Sequence, residues 1–119
     1  MDEPISLKTD VVDDNVLVMK LYGNLDVKSL PKFEEAVQKH YDAGTRKFIL
    51  DCGHLGYINS MGIGSLVTLQ TRLRKKGGEV KLAALQGLVA DVIKVVKIDK
   101  LLNIYGDTAF AREAFAASK

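Results

Sequence analysis

The sequence predicts an α/β fold on a mixed, mostly parallel sheet, and three observations carry that expectation. Two β-rich stretches, Ile5 to Val12 and Val16 to Tyr22, are separated only by the turn-forming Asp13-Asp14-Asn15, the signature of an N-terminal antiparallel hairpin. Phe48, Ile49 and Leu50 form a continuous apolar block, as in a strand covered on both faces. Beyond the hairpin, helix-like and strand-like stretches alternate, the pattern of parallel strands joined through helices. The predicted order is ββαβαβαβα, with about four helices packed on the sheet.

After the hairpin, Gly23-Asn24-Leu25-Asp26 breaks the second strand. Val27 to Tyr41 has helical spacing, with Leu30, Phe33, Val37 and Tyr41 on one face and Lys32, Glu34, Glu35 and Lys39 on the other. Pro31 falls in the first turn, where its missing N–H does no harm, and Gly44 is a natural C-terminal cap. The strand through Asp51 leads into a loop, Cys52 to Ile58, and then a helix from Ser60. Ile63, Leu66, Val67, Leu69 and Leu73 give that helix its apolar face, while Ser65, Thr68, Arg72 and Lys75 look outward. Gly77-Gly78 stops it. Glu79 to Ala84 alternates as a strand, Leu88, Val89, Val92, Ile93 and Val96 form a helical stripe, and Leu101 to Tyr105 holds a last short strand. Asp107 caps a final helix with Phe110, Ala111, Ala114 and Phe115 as its inner face.

A length of 119 residues suits one domain, 1–119, with a real core, and 47% apolar against 27% charged residues is an ordinary globular balance. The net charge of +2 does not predict nucleic-acid binding. The longest basic run, Arg72 to Lys76, falls at a helix end, where cations complement the dipole. There is no leading apolar segment after Met1-Asp2-Glu3-Pro4, no run long enough to cross a bilayer, and a single cysteine, so the expectation is a cytoplasmic protein with no membrane insertion and no disulfide.

The stretch that organises the chain is the passage from Lys47 into the Ser60 helix. Asn59 and Ser60 mark the helix start, because their side-chain oxygens accept bonds from the orphan N–H groups of a first turn. Ser60 should therefore sit at the surface, beside free amides and the positive end of the helix dipole. Gly62 and Gly64 each cost a helix about 1 kcal/mol relative to alanine. Two in one turn suggest that something approaches the backbone closely. From the residues alone, Ser60 is either a helix cap and nothing more, or a modifiable hydroxyl on an open surface.

Other chemistry finds little support. Cys52 and His54 are expected to point apart, and with only His40 as a further soft ligand they do not make a structural zinc site. No phosphate-binding loop with a lysine is present, and Gly62-Ile63-Gly64 lacks the third glycine of a dinucleotide fingerprint. No cofactor is expected. Asp51, at the end of a central strand, could be a phosphoaspartate receiver's acceptor. That reading needs an acidic pair leading directly into a helix, and Asp13-Asp14 leads into a strand instead.

The element order, the Gly23-Asn24-Leu25-Asp26 turn, and Phe48-Ile49-Leu50-Asp51 followed by Tyr57-Ile58-Asn59-Ser60-Met61-Gly62-Ile63-Gly64 resemble a STAS domain over nearly the whole chain. A stand-alone domain of this length with that serine is similar to the bacterial anti-sigma factor antagonists. In that family the motif before the glycine is Asp-Ser-Ser/Thr, and its first serine is phosphorylated. Ser60 takes that position here, with Asn59 in place of the aspartate and Met61 in place of the second hydroxyl residue.

The resemblance implies a non-enzymatic partner switch. The unphosphorylated form binds an anti-sigma factor that is itself a serine kinase and frees the sigma factor, phosphorylation at Ser60 breaks the complex, and a serine phosphatase restores it. By the same resemblance the partner-binding surface comprises Gly23, Asn24, Leu25, Asp26, Tyr57, Asn59, Ser60, Met61, Gly62, Gly64, Ser65, Thr68 and Arg72. The alternative within the family is an interaction subunit of a larger signalling or transport assembly, with Ser60 never phosphorylated.

Overall fold

The computed structural model describes residues 5–13 and 15–117; Asp14 and Met1-Asp2-Glu3-Pro4, which entered the sequence argument, lie outside the described residues. Five strands make one sheet in the order β1-β2-β3-β4-β5. β1 (Ile5–Val12) runs antiparallel to β2 (Val16–Leu25), and β3 (Lys47–Ile58), β4 (Glu79–Ala83) and β5 (Asn103–Tyr105) follow in parallel. The helices are α1 (Leu30–Asp42), α2 (Ser60–Lys75), α3 (Gly87–Val96) and α4 (Thr108–Ala117). A mixed sheet opened by a hairpin, the four helices and the order ββαβαβαβα all agree with the expectation.

The period-2 alternation of the strands explains the layering. Leu17, Met19 and Leu21 of β2, Phe48 and Leu50 of β3, and Val80 and Leu82 of β4 turn to one face. There they meet Phe33 and Val37 of α1, Leu66, Leu69 and Leu73 of α2, and Val89 and Ile93 of α3. The intervening Val16, Val18, Ile49 and Ala83 face the other way, onto Ala111 and Phe115 of α4. Three helices thus cover one face and a single helix part of the other. On that second face Lys81 is buried between rings, its ammonium 2.9 Å from Glu79 Oε2 and 4.5 Å from the Phe115 ring centroid.

Several boundaries differ from the sequence expectation. β2 does not break at Gly23, and Cys52 to Ile58 is not a loop: both segments are strand. β4 leaves β3 at Asp51, but β2 continues alongside it, pairing Tyr22 with His54, Gly23 with Leu55, Asn24 with Tyr57 and Leu25 with Ile58. The register slips on either side of Tyr22–Gly23, so burial falls on Cys52, Leu55 and Ile58 at intervals of three. That spacing hid the strand from a period-2 reading. α1 begins at Leu30 rather than Val27, because Asp26 Oδ1 takes the Lys28 and Ser29 N–H groups in a turn of its own. Phe110, Leu88 and Val96, expected to face inward, are exposed, because α4 and α3 lie against the sheet through only two fully buried residues each.

Candidate partner-binding site

The extension of β2 and β3 past the end of β4 builds the site. Their paired ends carry the chain to Asn59, whose N–H donates to the Leu25 carbonyl at 3.2 Å. Asn59 is extended and caps α2, its Oδ1 accepting from the Gly62 N–H at 3.0 Å, while its carbonyl accepts from Ile63. Ser60 is the first helical residue and is exposed. By helix geometry the N–H groups of Ser60 and Met61 have no intrahelical acceptor. The first turn carries no acidic side chain, so the positive end of the helix dipole beside the serine is not neutralised from within the turn.

The two glycines of that turn differ. Gly62 is buried against the β2 end: a Cβ there would lie 2.6 Å from the Leu25 carbonyl oxygen and 2.9 Å from Ile58 Cγ1. The close approach suggested by the sequence is, at Gly62, made by the protein's own backbone. At Gly64 a Cβ would meet nothing within 4 Å, so the backbone there is bare to the outside.

The structure brings Gly23, Asn24, Leu25 and Asp26 together with Tyr57, Asn59, Ser60, Met61, Gly62 and Gly64, because Asn24 is the register partner of Tyr57 and Leu25 that of Ile58. Among these, Tyr57 (41% exposed) and Met61 (53%) present apolar surface beside the serine. Leu25 and Gly62 are buried, so they support the site from beneath. Asp26 is tied up in the turn before α1, where its N–H also donates to Ser29 Oγ at 2.9 Å.

Ser65 and Arg72 both reach towards α1: Ser65 is half-buried there, whereas Arg72 keeps the exposure expected of it. Ser65 Oγ donates to Glu34 Oε2 at 3.0 Å, and the Arg72 guanidinium donates to Gln38 Oε1 at 3.0 Å and lies over the Tyr41 ring. Thr68 is exposed, and Met61, Gly64 and Thr68 follow one another at helical spacing as the open stripe. Val27, placed by its spacing at the start of the first helix and not on the partner-binding surface, is 57% exposed two residues beyond the Leu25 carbonyl that holds Asn59. An apolar residue between Asp26 and Lys28 in a turn was the available signal.

Cys52 and His54 do point apart. Cys52 is buried, and burial, with the Asp51 carboxylate beside it, pushes the thiol up to about 12; His54 is exposed and stacks on Tyr22 at 4.9 Å. Residues two apart share a face in a regular strand, so their divergence reflects the slipped register. Among the described residues no group of His, Cys, Asp and Glu could hold a metal, and no helix is long and apolar enough to cross a membrane. Asp51 is engaged by the Gly53 N–H at 3.0 Å, and Asp13 by Arg112 at 2.9 Å.

The family model for the STAS domain matches residues 8–111. This chain belongs to the STAS domain family. Its relatives include BtrV of Bordetella bronchiseptica, designated an anti-sigma factor antagonist, which is 31% identical over 105 residues covering 88% of this chain and 87% of that protein. Among solved STAS-like structures, TM1081 from Thermotoga maritima superposes with a TM-score of 0.80 at 22% identity, covering 91% of this chain and 92% of that one. SpoIIAA in its unphosphorylated form gives 0.77 at 15% identity over 93% of this chain and 97% of that one. The Bacillus cell fate determinant SpoIIAA in its phosphorylated form gives 0.68 at 15% identity, over 96% and 100%. These structural likenesses establish the STAS fold for the chain, and the family match and the alignment to BtrV extend over most of it.

Proposed function

We propose that this STAS domain is an anti-sigma factor antagonist whose binding to an anti-sigma factor is switched off by phosphorylation of Ser60. The observation that carries the reading is the placement of Ser60: an exposed hydroxyl at the first position of α2, over free amides, with apolar Tyr57 and Met61 beside it. The designation of BtrV supports the partner class, and the two forms of SpoIIAA, a neighbour of the same fold, support phosphorylation as the switch. In this reading the partner is a serine kinase that modifies Ser60, and a phosphatase reverses the step.

The physical chemistry accounts for a switch without a change of fold. A phosphate adds about −1.5 to −2 charges and three acceptor oxygens. At a helix N-terminus both the dipole and the free N–H groups favour an anion, so the domain accommodates it. Asn59, unlike an aspartate, brings no negative charge to oppose it. The cost falls on the complex, where a hydrated dianion would have to be desolvated against the surface around Tyr57 and Met61. A loss of about 3–4 kcal/mol weakens binding several-hundredfold.

The test is labelling with ATP in an extract of the source cells, with the phosphate mapped by mass spectrometry and Ser60→Ala alongside. A single phosphate on Ser60 that is absent from the variant supports the switch. Calorimetry then compares partner affinity for Ser60→Ala, expected to bind constitutively, with that of the phosphorylated protein. Equal affinities, or no phosphate on Ser60 while a control antagonist is labelled in the same extract, would replace the switch with a constitutive interaction subunit.

A further inference from the structure

We propose that two copies of this chain associate through their β1 strands, paired antiparallel about Thr9 so that the two sheets become one. The motivating feature is the edge itself. β1 stands at one end of the sheet order, pairs with β2 along all eight of its residues without a bulge, and contains no proline. A long, regular edge presents a row of backbone N–H and C=O groups that a further strand can take up, here from Ser6 onward, since the Ile5 carbonyl already accepts from Lys32 Nζ at 2.9 Å.

The occupant is identified by the strand's own pattern of charge. In antiparallel pairing about Thr9, facing residues have numbers that sum to twice that of the central one. Lys8 of one copy then faces Asp10 of the other, and Asp10 faces Lys8, giving two opposite-charge pairs related by the two-fold axis. On the opposite side of the sheet Leu7 faces Val11, also twice. Val11 is 62% exposed, while Leu7 is half-buried against the main core, so the pairing covers an exposed apolar side chain with one already anchored.

Neighbouring registers fail. A slip of one residue sets the charged face of one strand against the apolar face of the other. Moving the centre to Lys8 or Asp10 puts like charges directly opposite, which is unfavourable.

Within the single chain the Lys8 ammonium lies 5.5 Å from the Tyr22 ring centroid, and no carboxylate among the described residues pairs with it. Within the hairpin Lys8 lies opposite Lys20, a like-charge pair, and among the described residues Asp10 forms no ion pair. The pairing brings Asp10 of the second copy to Lys8, on the side away from Lys20. Because the two β1 strands run in opposite directions, so do the two β3 strands. The two Ser60 segments therefore lie at opposite ends of the joined sheet, each open to a partner.

Sedimentation of the full chain over a range of concentrations tests this, using wild type, Lys8→Glu, Asp10→Lys and an equimolar mixture of the two variants. Both positions are exposed, and circular dichroism checks that the fold is kept. The wild type is expected to associate, and each variant alone to associate about tenfold more weakly, because both charge pairs become repulsive. The mixture should recover wild-type association, since the introduced glutamate faces the introduced lysine and native Asp10 faces native Lys8. A wild type that sediments as a monomer throughout, variants that associate as the wild type does, or a mixture that fails to recover would each overturn the proposal.

Discussion

The two glycines in the first turn of α2 have the same sequence context and opposite surroundings, so replacing each with alanine separates the support of the site from its surface. Alanine is favoured over glycine within a helix by about 1 kcal/mol. At Gly64 nothing opposes that gain, since a Cβ there has no neighbour within 4 Å. Gly64→Ala should therefore stabilise the domain by about 1 kcal/mol. At Gly62 the added carbon would sit 2.6 Å from the Leu25 carbonyl oxygen, well inside the roughly 3.3 Å of a close C–H···O contact. That oxygen belongs to backbone and is fixed by the Asn59 N–H, so the strain is relieved only by moving the helix start away from the β2 end. Overpacking of this kind costs about 1–3 kcal/mol. Losing the Leu25–Asn59 hydrogen bond adds about 1 kcal/mol. Set against the gain in helix propensity, the net loss at Gly62→Ala is about 2 kcal/mol. Urea unfolding followed by far-ultraviolet circular dichroism gives both values. A Gly62→Ala domain as stable as wild type would show that the Leu25 carbonyl does not brace the helix, and the account of the site would fail with it. The same pair of variants also reports on function. Gly64→Ala, though more stable, should bind the partner more weakly, because a methyl group then stands on the bare stretch of the proposed surface.

Three further expectations follow from particular contacts. Asn59→Ala removes the acceptor of the Gly62 N–H and should lower stability by about 1 kcal/mol in the same urea assay, whereas Asn59→Asp keeps the cap and should not. Glu79→Ala leaves the buried Lys81 ammonium without its carboxylate and should cost about 2 kcal/mol, detectable as a lowered thermal midpoint, while Glu79→Gln should recover part of the loss through its amide oxygen. Burial raises the Cys52 thiol from 9.0 to about 12, so the folded state holds a proton that the unfolded chain releases first. The contribution of this group to stability is therefore complete below pH 9.0 and falls as pH rises towards 12, and Cys52→Ala should flatten that part of the stability profile. A thiol reagent at neutral pH should modify Cys52 only as fast as the domain opens.

Much of this protein is determined by local sequence signals. The hairpin follows from Asp13 and Asn15 standing between two β-rich runs. The position of α2 follows from Asn59, whose side chain can satisfy an orphan amide wherever a helix starts after it. The central place of β3 follows from Phe48, Ile49 and Leu50, which need cover on both faces. Each signal acts over a few residues, so it is legible without knowing what the chain packs against. What only the tertiary structure decided is how distant segments meet. Gly23–Leu25 and Cys52–Ile58 read as a turn and a loop because their burial lacks period 2, and pairing with each other past the end of β4 makes them strand. Ser65 sits on a polar helix position that points to solvent by periodicity alone, and α1 meets it there through Glu34, while Arg72, exposed as its position predicts, is drawn to Gln38 and Tyr41 of the same helix. Gly62 and Gly64 are the same residue type two positions apart, and only the arrival of the Leu25 carbonyl makes one a structural necessity and leaves the other open. Burial and steric contact depend on which segments converge in space, and a pattern confined to one segment cannot encode that.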